Sequence, residues 1–209
     1  MTPKETTTPS VPLASELLQR ALATNSGRRE WREFKAEQAR ELLELCAKSP
    51  RMTLLGLDLS GDFAALYGIA MPVPCRPIGD QLRIVSRAIF NLRYAEEWRW
   101  QPPAGFEPLG VLEPFDLFGP NMVAAPHGGV CLGHIPAGIT VREIVLLGYF
   151  AVTLQTYQLN EVDPQGILNP AACEYFRLHQ EWLPLTRAGL FDEWNPADAG
   201  LSAIPAPAV

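Results

Sequence analysis

The run MTLLGLDLSGDFAALYGIAM, residues 52–71, decides how this chain folds. Two β-compatible segments, 52–59 and 63–71, are divided by Ser60-Gly61-Asp62, which is turn chemistry at hairpin length. Outward from it the pattern repeats. Residues 81–93 and 109–112 are two more β-compatible runs, set off by Pro77-Ile78-Gly79-Asp80 and by a loop around Pro102-Pro103. Short turns between consecutive strands predict an antiparallel meander, because parallel neighbours need long crossovers.

Helical periodicity brackets the meander. Leu13, Leu17, Leu18, Ala21 and Leu22 share one helical face before Asn25-Ser26-Gly27 stops the helix. A second helix is predicted from about Arg29 to Lys48. Trp31, Phe34, Leu42, Leu45 and Cys46 form its apolar stripe, and Ser49-Pro50 ends it. Thr140-Val141-Arg142-Glu143 has the spacing of a capping box, with an apolar helix expected to about Tyr157. Asn169-Pro170 opens another, with Asn as cap and Pro at the first helical position; Pro184 bounds it, so it is expected to end near Leu183. Helices, meander, irregular segment, helix, helix: the fold class is α+β.

Composition narrows the function. The 209 residues are 47% hydrophobic with a net charge of −6, which disfavours nucleic-acid and anionic-membrane binding, since both draw on clustered positive charge. Residues 1–51 hold nine Lys and Arg against seven acids, whereas 52–209 hold eight against sixteen, and no lysine follows Lys48. Cys46, Cys75, Cys131 and Cys173 stand far apart with no CxxC spacing, so reduced thiols are expected. The first ten residues, MTPKETTTPS, contain no apolar signal region, and no apolar stretch is long enough to span a membrane. The expectation is a cytoplasmic protein.

Residues 115–139 lack periodicity without being charged or low in complexity, which marks a functional segment. Within it, Cys131 follows Gly128-Gly129-Val130, where glycines allow close backbone approach. An exposed thiol is the functional reading; a small buried hydrophobe is the alternative. Cys46 and Cys75 read as structural, one on a helix stripe and one in a Pro-rich connection. Cys173 sits in a helix's first turn, where the dipole favours a thiolate, but flanking Ala171 and Ala172 suggest close packing. His127, Cys131 and His134 invite a zinc reading that lacks an evident fourth ligand. A Cys131–His127 thiol hydrolase lacks an identified orienting group.

Gly119-Pro120-Asn121, Gly129-Val130-Cys131-Leu132 and Leu168-Asn169-Pro170-Ala171-Ala172, in that order, resemble the active-site half of ubiquitin-conjugating enzymes. Those enzymes carry a His-Pro-Asn turn, a thioester-forming Cys-Leu and an Asn-Pro-x-Ala-Ala helix start. The wording Pro126-His127-Gly128-Gly129-Val130-Cys131-Leu132 is closest to divergent bacterial members of antiphage operons. The resemblance implies a UBC-like fold over residues 28–190, with 1–27 a tail and an extra helix and 191–209 an Ala/Pro-rich tail. It implies a Cys131 thioester, received from an adenylating activating enzyme and passed to an amine of an acceptor protein. No metal or organic cofactor is expected.

Asn121 would stabilise the oxyanion, and Asp163 would help deprotonate the incoming amine; an ordinary turn aspartate before Pro164 is the alternative for Asp163. A catalytically inactive modifier-binding or scaffold protein is the alternative function. Arg28, Arg29, Arg32 and Lys35 are expected on the activating-enzyme side, against the alternative of a solvated face of Arg/Glu pairs. Two departures stand out. Glycine replaces the motif histidine, and Asn121 precedes Cys131 by ten residues, a longer spacing than typical members show, leaving His127 as an alternative polar partner.

Overall fold

Strand pairing follows the turns. The computed structural model describes residues 11–123, 128–159 and 168–193. Its sheet contains β1 (Met52–Asp58), β2 (Phe63–Ile78), β3 (Gln81–Tyr94) and β4 (Leu109–Glu113), antiparallel in the order β1-β2-β3-β4. Period-2 alternation puts one face into the core: Leu54 pairs with Tyr67, Tyr67 with Phe90 and Phe90 with Val111. All four are buried. The Tyr67 and Phe90 rings stack at 5.2 Å between centroids, adding an aromatic contact to their burial.

The second strand outruns its expected end at residue 71. It continues through Pro72, Pro74 and Pro77 to Ile78, and so places Cys75 in a strand with no exposure. Proline is tolerated because β1 stops pairing near Ile69, which leaves this half of β2 an edge strand. Register shifts between Ala70 and Val73 and between Cys75 and Ile78 absorb the missing donors. The same edge then accepts residues 116–118: Arg76 N–H donates to Asp116 O at 2.9 Å, and Phe118 N–H donates to Pro74 O at 2.8 Å.

The described residues form four helices: α1 (Val11–Ala23), α2 (Arg29–Lys48), α3 (Val141–Val152) and α4 (Pro170–Leu178). The buried residues of α2 recur at Trp31, Lys35, Gln38, Leu42 and Leu45, alternating steps of four and three along one stripe. Helix α1 packs on α2 and β1. Gln38 Oε1 accepts the Val141 N–H at 2.7 Å, tying α2 to the start of α3.

The capping box forms as expected. Thr140 Oγ1 accepts the Glu143 N–H at 3.2 Å and Glu143 Oε2 accepts the Thr140 N–H at 2.7 Å. A Cβ on Gly148 would collide with Leu109, so α3 crosses β4 closely at that glycine. Helix α3 ends at Val152, short of Tyr157, because Leu154 adopts φ 55° and turns the chain. Helix α4 likewise stops at Leu178, and a 3₁₀ turn over Gln180–Trp182 carries the chain to Pro184. Among the described residues no helix is long and apolar enough to cross a membrane.

Candidate functional site

The irregular segment contains a short antiparallel pairing. Met122 bridges Val130, Val123 N–H donates to Gly129 O at 2.8 Å, and Cys131 N–H donates to Asn121 O at 2.7 Å. The cysteine strand also fastens to the free edge of β4, with Val130 N–H on Leu109 O at 3.0 Å and Val111 N–H on Gly128 O at 2.5 Å. Gly128 has φ +49°, and a Cβ there would lie 2.6 Å from Val111 O, so residue 128 must lack a side chain.

This pairing sets the two principal candidates face to face. Met122 and Val130 have no exposure and belong to the core cluster. Asn121 and Cys131 are the next residues along, opposite one another and therefore on the other face. Directly opposed residues in an antiparallel pair have Cβ atoms about 4.5–5.5 Å apart. The ten-residue spacing is thus no obstacle to their meeting, since the pairing closes on both sides of residues 124–128.

The turn before Asn121 is held without a histidine. A Cβ on Gly119 would lie 2.6 Å from Met122 Sδ, so the buried thioether occupies the space a larger residue would need. Pro120 O accepts the N–H groups of Leu168 and Asn169 at 3.1 and 3.2 Å, and Asn169 Oδ1 caps α4 through the Ala172 N–H at 3.1 Å. Three segments distant in sequence therefore meet at Pro120-Asn121.

Cys131 is not the exposed thiol expected from its glycines. Its exposure is 7%, because the turn over residues 104–107 lies on it. A Cβ on Gly105 would be 3.3 Å from Cys131 Sγ and 2.5 Å from Gly133 O. Sequence reading missed Gly105; a contact across 26 residues between two loops leaves no periodic signal. Asn121 Oδ1 is buried without a hydrogen-bond partner. His127 and Asp163 lie outside the described residues, and His134 is exposed.

The remaining cysteines behave as packing residues. None of the four is in a disulfide. Burial pushes the Cys46 and Cys75 thiols up to about 12 each, away from thiolate chemistry. Cys173 has no exposure, and its Sγ approaches Gln158 O at 3.7 Å.

On α2 the expected basic group divides. Lys35 is fully buried rather than available to a partner. Its Nζ donates to Leu59 O and, at 2.7 Å, to Gly61 O, and lies 5.4 Å from the Trp31 ring centroid. It closes the β1–β2 turn from beneath. Arg28, Arg29 and Arg32 are exposed. Arg28 pairs with Glu96 at 3.0 Å and Arg29 with Glu33 at 2.8 Å, the latter an i,i+4 pair of the solvated-face kind.

A cavity of about 580 Å³ adjoins the cysteine loop, lined by Phe106, Leu109, Gly110, Val123, Gly129 and Leu168 with Asn91, Arg93 and Glu107. No protein-family model matches the chain, and no match to it is found among curated proteins or solved structures.

Proposed function

We propose that the chain is a UBC-like conjugating enzyme that carries a ubiquitin-like modifier as a thioester on Cys131, in bacterial antiphage defence. One observation supports this above the others. Asn121 is bonded to Cys131 on one side, while its neighbour Pro120 is bonded to Leu168 and Asn169 on the other, so the three motif segments converge. The α+β architecture, with two helices before a four-stranded meander and a capped helix after the cysteine, is compatible with that fold.

The chemistry conserves one acyl bond at each step. The Cys131 thiolate attacks the thioester carbonyl held by the activating enzyme; a new C–S bond forms, and the activating enzyme's thiolate leaves. An acceptor amine then attacks the Cys131 thioester. The C–N bond forms, Cys131 leaves as thiolate, and the amine's proton passes to a base. Each attack develops an oxyanion, for which one preorganised donor is worth roughly 3–4 kcal/mol. Asn121 is assigned that role through its amide group. Arg28, Arg29 and Arg32 remain the proposed activating-enzyme contacts.

The test mixes the chain with its cognate activating enzyme, modifier and ATP and reads a non-reducing gel. A thiol-sensitive adduct is expected that Cys131→Ala abolishes. Charging that survives in Cys131→Ala overturns the assignment. The 7% exposure of Cys131 favours a second reading, a modifier-binding protein without catalysis. That reading predicts modifier binding with no thioester on any cysteine.

A further inference from the structure

Cys131 is buried in an unusual manner. Its neighbour Val130 and the opposed Met122 have no exposure, and strand alternation puts Cys131 and Asn121 on the other face of the pairing. A residue on the outer face of a surface pairing is normally open to water. Here the cover is one small turn, closed on itself twice. Glu107 N–H donates to Ala104 O at 2.9 Å, and Glu107 Oε2 accepts the Ala104 N–H at 2.9 Å. It is pinned to the cysteine strand by the Leu132 N–H on Gly105 O at 2.8 Å. Gly105 is the point of contact, since any side chain there would strike Gly133 O.

We infer that the Ala104–Glu107 turn is a gate over Cys131, which closes the thiol off in the resting chain and must swing away before it can react. The inference rests on the reading of Cys131 as the reacting thiol. Three features fit a gate better than a core contact. Its residues Ala104, Phe106 and Glu107 are exposed, while the buried Pro103 and Pro108 on either side anchor its two ends as hinges. The turn's self-closing bonds belong to itself and can travel with it. Its only bond to the cysteine strand among those described is the one from Leu132. Such elements open locally at far lower free energy than the whole fold. Opposite Cys131 in the pairing, Asn121 Oδ1 is buried and unpartnered, a polar group that the closed form leaves unsatisfied.

Site-resolved thiol labelling of the full chain tests this without modifier or activating enzyme. A small maleimide is added to native protein, and each cysteine peptide is followed by mass spectrometry. Glu107→Ala removes the bond that closes the turn, and Cys131 labelling should accelerate about fivefold, the value of one ordinary hydrogen bond. Glu107→Gln keeps an acceptor oxygen and should stay near the parent rate. Gly105→Ala should accelerate Cys131 tenfold or more. Cys75 and Cys173, both without exposure, serve as internal controls for global loosening. Acceleration confined to Cys131 supports the gate. Equal acceleration at all three buried thiols, or an unchanged Cys131 rate in both Gly105→Ala and Glu107→Ala, overturns it. A chain that never forms a thioester but shows the selective labelling retains the gate and loses the conjugating reading.

Discussion

In the proposed conjugating-enzyme reading Gly119 stands where the motif has histidine, and the structure gives the glycine there a measurable cause. The nearest atoms to a Cβ at this position all belong to Met122: Sδ at 2.6 Å, Cε at 2.7 Å and Cγ at 3.3 Å. Met122 has no exposure, so its thioether cannot escape into solvent. Gly119→Ala therefore overpacks a filled site, at a cost of about 1–3 kcal/mol. Met122→Ala alone leaves a cavity and should cost about 2–5 kcal/mol. In the double variant the colliding atoms are gone, and φ at residue 119 is not positive. The Gly→Ala change should then show its ordinary benefit of about 0.4–1 kcal/mol from the unfolded chain. The sign of one substitution thus reverses with its neighbour. Urea denaturation of the four proteins measures it, with a coupling of about 1.5 kcal/mol or more expected. Effects that add to within about 0.5 kcal/mol would refute the claim that Met122 is what excludes a side chain at 119.

Three further outcomes follow from the fold. Tyr67 OH is buried without a hydrogen-bond partner, so Tyr67→Phe should stabilise by up to about 1 kcal/mol; a loss of that size in urea would show an unrecognised partner. Thr140→Ala removes half of the α3 capping box and should cost about 1 kcal/mol, read from the same denaturation midpoint. Burial lowers the Lys35 ammonium below its ordinary value. Between the folded and unfolded values the unfolded chain still holds a proton that the folded chain has released, so this group's contribution to stability rises with pH there. Lys35→Met should lack that rise. Subtracting its curve from the parent's, from pH 8 to about 10.4, isolates the effect from tyrosines and cysteines, and a flat difference counts against it.

Much of the architecture was legible because local chemistry and tertiary packing agree. Arg29–Lys48 emerges with its expected bounds, since a single stripe from Trp31 to Leu45 meets the sheet and Ser49-Pro50 cannot continue it. The meander follows from its turns. The errors share a cause. Prolines in 72–77 argued for a connection, yet the strand continues because its neighbour β1 is too short to need their missing donors. Apolar residues beyond Val152 argued for a longer α3, yet Leu154 turns the chain. Lys35 read as a surface cation because the sequence does not reveal two carbonyls waiting beneath it. In each case a partner far along the chain overrode a sound local rule.

The site divides the same way, and the division bears on what the glycines around Cys131 are for. From sequence they suggest access to the thiol. In the fold, Gly128 passes beneath Val111 O, and Gly105 lets a second backbone settle against Cys131 Sγ. Both permit close packing of main chain against main chain; neither opens a path. Yet the packing they allow is selective. The cysteine strand is fastened firmly to β4 and to Asn121, while the covering turn holds it through one hydrogen bond. A firmly positioned nucleophile under a lightly held cover keeps its geometry when the cover leaves. The same glycine spacing is therefore compatible with an inert core cysteine and with a guarded reactive one. What separates them is that Cys131 lies on the opposite face of its pairing from the fully buried Met122 and Val130, and that follows from the register of the Met122–Val130 bridge.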